Sequence, residues 1–285
     1  MDLLIILVLC IMATAKVTLQ GNFAKKHVKT SLDSVFFNGL IFFFSFLIFS
    51  FNIIGCSYVT FIYGGIFGLL TVLFQLLYIS AMSMGNVSLT VMTVNLSMVI
   101  PILLSVFCYN EKLTWQKLIG IILTVLAIVM SADKKSELSG NFKKWFILSI
   151  SASLTNGVMA VCQKVFTKTE FYHESQAFVA VSYLVAALFS LVIVLSLNIK
   201  SNLNLKFKVN VWGTALCIGL VLGLFQVFNT KAMTEISGVL FFPAYYGGSI
   251  ILSGISGVLI LKDKLKKNQV ISMIIGIMAI VLMNF

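Results

Sequence analysis

Lys16 stands inside an otherwise apolar run, Ala13-Thr14-Ala15-Lys16-Val17-Thr18. An ionisable side chain within a hydrophobic span is costly there and is a functional candidate by default. Facing a cavity, its ammonium would pair with a carboxylate or phosphate on a ligand. It also lies only six residues before Asn22, about 9 Å along a helix, a distance much of which a lysine stem can snorkel. Lys164 and Lys231 sit nearer the ends of apolar runs, where snorkelling is the expected behaviour.

Amides form the second set. Gln20, Gln75, Asn95, Asn156, Gln163, Gln226 and Asn229 all fall in apolar runs. A carboxamide in hydrocarbon costs free energy unless paired, so each should face the protein interior, lining a cavity or linking helices. Tyr245, followed by Tyr246, could supply an aromatic wall. Pro101 and Pro243 each remove a helical hydrogen bond and bend the chain. Gly247 and Gly248 follow Pro243 by one turn, which marks that helix as deformable, a hinge or a close-packing point.

The absences discriminate as well. No acid lies deep in a span, which disfavours a buried carboxylate shared between a proton and a cationic substrate. Both histidines, His27 and His173, lie in loops. Gly254-Ile255-Ser256-Gly257 has no intramembrane base to activate its serine. The five cysteines form no C-x-x-C pair, and no phosphate-binding glycine loop is present. The expectation is a non-enzyme with no cofactor and no metal.

The elements that carry these residues follow from composition. The chain has 285 residues, 60% hydrophobic and 10% charged. A soluble domain carries about a quarter charged residues, so a water-soluble globule is excluded. The net charge of +11 would suggest nucleic acid elsewhere. Here every basic residue is lysine, placed mostly at span ends, so membrane topology accounts for the charge and no nucleic-acid partner is expected. The all-lysine usage, with abundant Ile, Phe and Asn, fits an AT-rich bacterial genome.

Apolar runs separated by polar breaks predict spans near 3–22, 34–52, 58–82, 88–108 and 115–131, then 145–166, 175–196, 210–231, 238–260 and 268–284. Lipid offers the backbone no partners, so the spans should be helices. The expected fold is an all-α polytopic membrane protein of ten transmembrane helices. Residues 1–131 form a first five-helix repeat, 132–144 a polar inter-repeat loop and 145–285 a second repeat. The halves are related. Gly68, Leu73, Phe74, Gln75, Ala81 and Met82 correspond, 151 residues on, to Gly219, Leu224, Phe225, Gln226, Ala232 and Met233. Gln20 and Phe23 correspond to Gln163 and Phe166. An odd number of helices per repeat inverts the second half, an architecture that recurs in secondary transporters. The G-x-x-x-G spacings Gly64/Gly68 and Gly219/Gly223 favour contacts within the chain, while a homodimer stays open.

Ten helices in two fives, a very short turn at Ser83 to Asn86, and Glu111 closing the fourth helix resemble the EamA-like drug/metabolite transporter superfamily. Glu111-Lys112-Leu113-Thr114-Trp115-Gln116-Lys117-Leu118-Ile119-Gly120 resembles that family's Glu, Leu-Thr, Gln and Gly stretch. The second half departs from it, with Asp263, Asn268 and Ser272 at the matching positions. The resemblance implies a central cavity lined by helices 1–4 and 6–9, with helices 5 and 10 peripheral, and a substrate among diverse small metabolites.

The expected function is therefore secondary active transport, by alternating access, of a small polar or amphipathic metabolite that Lys16 tips toward an anionic group. The expected setting is the bacterial cytoplasmic membrane, with the bilayer and a small-molecule substrate as partners. A lipid or lipid-linked sugar translocator, or a non-transporting scaffold subunit, are the alternatives. Orientation has two answers. Loops after odd-numbered helices hold 14 lysines against 5 on the other side, so the positive-inside rule puts both termini outside. The resemblance implies termini inside.

Overall fold

A computed structural model describes residues 2–27, 31–84, 90, 93–131, 142–201, 209–259 and 267–283. Ten α-helices run through the described residues. They are α1 (Asp2–His27), α2 (Ser31–Phe49), α3 (Tyr58–Met84), α4 (Val99–Tyr109) and α5 (Trp115–Ser131). The second half supplies α6 (Phe142–Phe166), α7 (Ser175–Ser201), α8 (Val209–Glu235), α9 (Gly238–Leu259) and α10 (Lys267–Met283).

Each helix overlaps one of the ten apolar runs, as expected where the backbone must satisfy itself within each segment, but the run expected at 88–108 holds α4 only from Val99, after a 3₁₀ turn at Leu96–Met98. Five stretches are long and apolar enough to cross a membrane unaided: Leu32–Ile53, Tyr58–Ala81, Lys143–Phe166, Tyr172–Ser196 and Val211–Glu235. Thr93–Tyr109 and Trp115–Ala127 are shorter apolar helices. The sixth helix begins at Phe142 rather than 145, so Lys143 and Lys144 sit on its first turn and not in a loop. The turn expected at Ser83 to Asn86 is only partly visible. The third helix continues to Met84, and 85–86 lie outside the described residues.

Packing joins one half of the chain to the other. The most extensive contacts pair α5 with α10, α2 with α7, and α3 with both α6 and α7, followed by α2 with α8, α1 with α9, the consecutive pair α9 and α10, and α1 with α8. Consecutive helices α2 and α3 touch little. Exchanging each helix for the one five places on maps α1·α8 onto α6·α3, α1·α9 onto α6·α4, and α2·α8 onto α7·α3, and returns α2·α7 and α5·α10 to themselves. The contacts between the halves thus have two-fold character.

Small residues set the closest approaches. Gly68 on α3 lies against the Ser182 carbonyl and the Val185 Cβ on α7, and Gly219 on α8 lies against the Ile41 carbonyl and the Phe44 Cβ on α2. Gly64 meets Val181, and Gly223 meets Phe49. These glycines therefore serve helix contacts within the chain. Beside a small cluster of Leu32, Val35 and Val194, two large buried clusters result. One gathers α2, α3, α6, α7 and α8 around Phe37, Phe166 and Phe178, and the other gathers α1, α4, α8 and α9 around Leu9, Met98 and Phe241.

Candidate substrate-binding site

A cavity of about 200 Å³ lies between the two halves. From the first half, α1 supplies Lys16, α2 supplies Asn38, Ile41 and Phe42, and α3 supplies Phe67, Thr71, Phe74 and Gln75. From the second, α6 supplies Asn156, Met159, Ala160 and Gln163, and α7 supplies Tyr183. The α8 helix adds Phe225, Gln226, Asn229 and Met233, among others, and α9 adds Phe241, Phe242, Tyr245 and Tyr246. The helices expected at the periphery, α5 and α10, contribute nothing to the described wall. Neither does α4, which was expected to. It reaches the cavity only indirectly, through Ser97 in the 3₁₀ turn Leu96–Met98 that leads into it.

Seven of the nine candidate binding residues thus share one cavity: Lys16, Gln75, Asn156, Gln163, Gln226, Asn229 and Tyr245. Asn95 does not. It sits half-buried just ahead of that 3₁₀ turn and is absent from the wall. The Gln20 side chain lies outside those described. Of the hinge candidates, Pro243 is inside α9, whereas Pro101 stands two residues into α4, just after the 3₁₀ turn Leu96–Met98. Both prolines and Gly247 are buried. At Gly248 an added methyl would sit 2.8 Å from Cys10 Sγ, so this glycine serves the close approach of α1 to α9. Cys10 Sγ also donates to the Tyr245 carbonyl at 3.4 Å.

The wall is aromatic and amide by turns. Phe42 stacks on Tyr183 with ring centroids 5.7 Å apart and planes 8° apart. Tyr245 lies between Phe225 and Phe241, at 6.0 and 5.9 Å. Asn156 Nδ2 donates to Ser97 Oγ at 2.7 Å and to the Tyr246 hydroxyl at 3.1 Å, which links α6 to α9 and to the entry of α4. Gln163 Nε2 donates to Thr230 Oγ1 at 2.8 Å, and Asn229 Nδ2 donates to Gln163 Oε1 at 3.2 Å. The Lys16 ammonium has no partner among the described residues, although the residue is half-buried. A cation withdrawn from bulk water without a counter-charge is costly.

One polar cluster behind this wall was not anticipated. Lys164 does not snorkel, since its side chain is 1% exposed. Its Nζ donates to the carbonyls of Met233 at 3.0 Å and Ile236 at 3.2 Å, and lies 3.5 Å from Glu111 Oε1. The other Glu111 oxygen accepts the Val239 N–H at 3.0 Å. Lysine therefore closes the carbonyl end of α8 and glutamate the N–H end of α9, each matched to the helix dipole it faces. Glu111 is aimed there by Asn110, whose φ of 52° ends α4 in the left-handed conformation, with the N–H groups of Asn110 and Glu111 both returning to the Ser105 carbonyl. Asparagine tolerates that conformation. Nearby, Glu174 Oε2 accepts from the Ser57 N–H, the Ser57 hydroxyl and the Thr60 hydroxyl at the start of α3. The Lys168 ammonium lies 5.7 Å from the Tyr109 ring centroid. The loops that follow α2, α4, α6 and α8 are thereby tied together at one end, and the contacts of Glu111, Glu174 and Lys168 join the two halves.

An all-helical chain of two matched halves around a central cavity is the architecture of a membrane transporter. The model of the EamA-like transporter family matches residues 2–132 and again 143–285, and the chain belongs to that family. It is an integral membrane protein of the drug/metabolite transporter type, and the family is one of transporters rather than of enzymes. No curated protein matches the sequence. Among solved structures, one crystal structure superposes with a TM-score of 0.77 over 97% of this chain and 95% of the other, at 14% identity. A likeness at that identity speaks for the fold alone.

Proposed function

We propose that this protein is a secondary active transporter of a small amphipathic metabolite bearing an anionic group, and that it works by alternating access between two inverted five-helix repeats. The observation that carries the reading is the unpartnered Lys16 ammonium in a wall otherwise made of uncharged side chains, most of them amides and aromatic rings. An anionic head meets the lysine there, and an apolar body meets Phe42, Phe67 and Phe225.

Several features support alternating access. The cavity lies between the halves, and the helix contacts are two-fold in pattern, so two tilts of one repeat against the other would be close in energy. The ties at the end formed by Glu111, Lys164 and Glu174 correspond, on this reading, to a state closed toward that side. All ten helices cross the bilayer, the shorter ones included.

The test is counterflow in proteoliposomes. Vesicles loaded with an unlabelled aromatic or aliphatic monocarboxylate should accumulate the labelled compound, with saturation and with competition from other anions. Vesicles that take up no anion, or that scramble fluorescent lipid without competition from soluble compounds, would overturn the reading.

A further inference from the structure

We propose that Asn229 reads a hydrogen-bond donor on the substrate while Lys16 takes its anionic group, so that the cavity selects small monoanions carrying a neutral donor, a hydroxyl or an amide N–H. This deepens the transport reading and rests on it.

The orientation of Asn229 is set by a relay. Thr230 Oγ1 donates its only proton to the Gln226 carbonyl at 2.8 Å, one turn back on α8. It can therefore only accept from Gln163, whose Nε2 stands 2.8 Å away. That turns Gln163 Oε1 toward Asn229, which must answer with Nδ2, at 3.2 Å. Asn229 Oδ1 is what remains. It is buried and has no hydrogen-bond partner, in a residue only 6% exposed that lines the cavity. A buried carbonyl oxygen without a donor is unstable unless the occupant of the cavity supplies one.

Charge decides which kind of donor. Lys16 is the one lysine in the described wall, and no carboxylate or histidine accompanies it. A monoanion neutralises the cavity. A zwitterion would pair its carboxylate with Lys16 and leave its ammonium against uncharged amides and rings, a buried charge without a counter-charge. A hydroxyl or amide N–H satisfies Asn229 at no such cost. Thr230 is fully buried and outside the wall, so it acts as a positioning residue for Asn229.

Binding to the full-length protein in detergent tests this with three probes on one body: 3-phenyllactate, 3-phenylpropionate and phenylalanine, at neutral pH. Phenyllactate should bind about 5–10-fold more tightly than phenylpropionate, the worth of one hydrogen bond, and more tightly than phenylalanine. Asn229→Leu should bring the ratio of the two anions to about one without abolishing either. Lys16→Met should weaken both anions together. Thr230→Val frees Gln163 to turn over and should lower the ratio while phenylpropionate affinity holds, with Thr230→Ser restoring it. A purely structural Thr230 would not move a ratio between ligands. Equal binding of the two anions, tightest binding of phenylalanine, or a ratio that survives Asn229→Leu would overturn the assignment while leaving anion transport standing. If none of the three binds the folded wild type, and no anion enters vesicles, the transport reading falls with it.

Discussion

Gly68 and Gly219, 151 residues apart in the chain, face the same environment. Each abuts a backbone carbonyl and, three residues further on, a side-chain Cβ of the facing helix: Ser182 and Val185 for the first, Ile41 and Phe44 for the second. Ser182 and Val185 themselves lie 141 residues after Ile41 and Phe44. The sequence correspondence between the halves is therefore also a correspondence of contacts.

The pairing predicts matched effects. Gly68→Ala and Gly219→Ala should each destabilise by about 1–3 kcal/mol, because the facing atoms are backbone and cannot move aside. Gly65 has open space around it, so Gly65→Ala should be neutral or gain up to about 1 kcal/mol from helix propensity. Melting of the detergent-purified variants checks this. Equal losses at all three positions would contradict the contact assignment.

The Glu111–Lys164 pair should behave as a unit. Removing one partner of a buried pair strands the other, so Glu111→Gln or Lys164→Met should each cost about 3 kcal/mol or more, a fall in melting temperature on the order of 10 °C. The double variant should lose much less than the sum. Strict additivity in a double-mutant cycle would mean the two charges do not interact.

Lys16→Met should separate binding from stability. With no described partner, loss of this charge should leave the ligand-free melting temperature unchanged or higher. The KM for anion counterflow should rise about 10–100-fold, as expected for loss of a charge-assisted hydrogen bond. A variant that melts well below wild type would mean Lys16 serves the fold.

Cys56, half-buried in the segment between α2 and α3, reports orientation. With Cys108 and Cys217 replaced by serine, it is the one remaining thiol that is not buried. The lysine distribution puts its loop outside, so an impermeant maleimide should label it on intact cells. Burial and the Glu174 carboxylate push its thiol above the usual value, so labelling should keep accelerating with pH beyond about 8.5. Protection on intact cells, with labelling only after lysis, would reverse the topology.

How much of this was legible beforehand differs by residue. Gln75, Gln163 and Asn229 could be placed toward the interior because a carboxamide in hydrocarbon has nowhere else to go. The helices followed from the same scarcity of partners. Lys164 could not be placed. Its position near a span end suggested snorkelling, and the groups that hold it, Glu111, Met233 and Ile236, come from segments far away in sequence. Tyr245 and Tyr246 were candidates for an aromatic wall, but its phenylalanines were hidden, since Phe67 facing a cavity and Phe107 facing outward are the same residue in the same kind of run. Asn95 looked equivalent to Asn156. Only the 3₁₀ turn at Leu96–Met98 separates a residue off the wall from Ser97, which touches two residues that form it.

The ties between halves also bear on how the chain is made. While the first five helices are inserted, Glu111 has no lysine and no helix end to cap, Ser57 and Thr60 have no Glu174, and Gly68 has no α7 to receive it. Helices α2 and α3 have little to hold each other with. If all ten helices cross the bilayer, the few contacts described within the first half leave its segments loosely associated until α6 to α8 arrive. The two halves expressed as separate polypeptides should reach their mature form only together, each surviving proteolysis in the presence of the other.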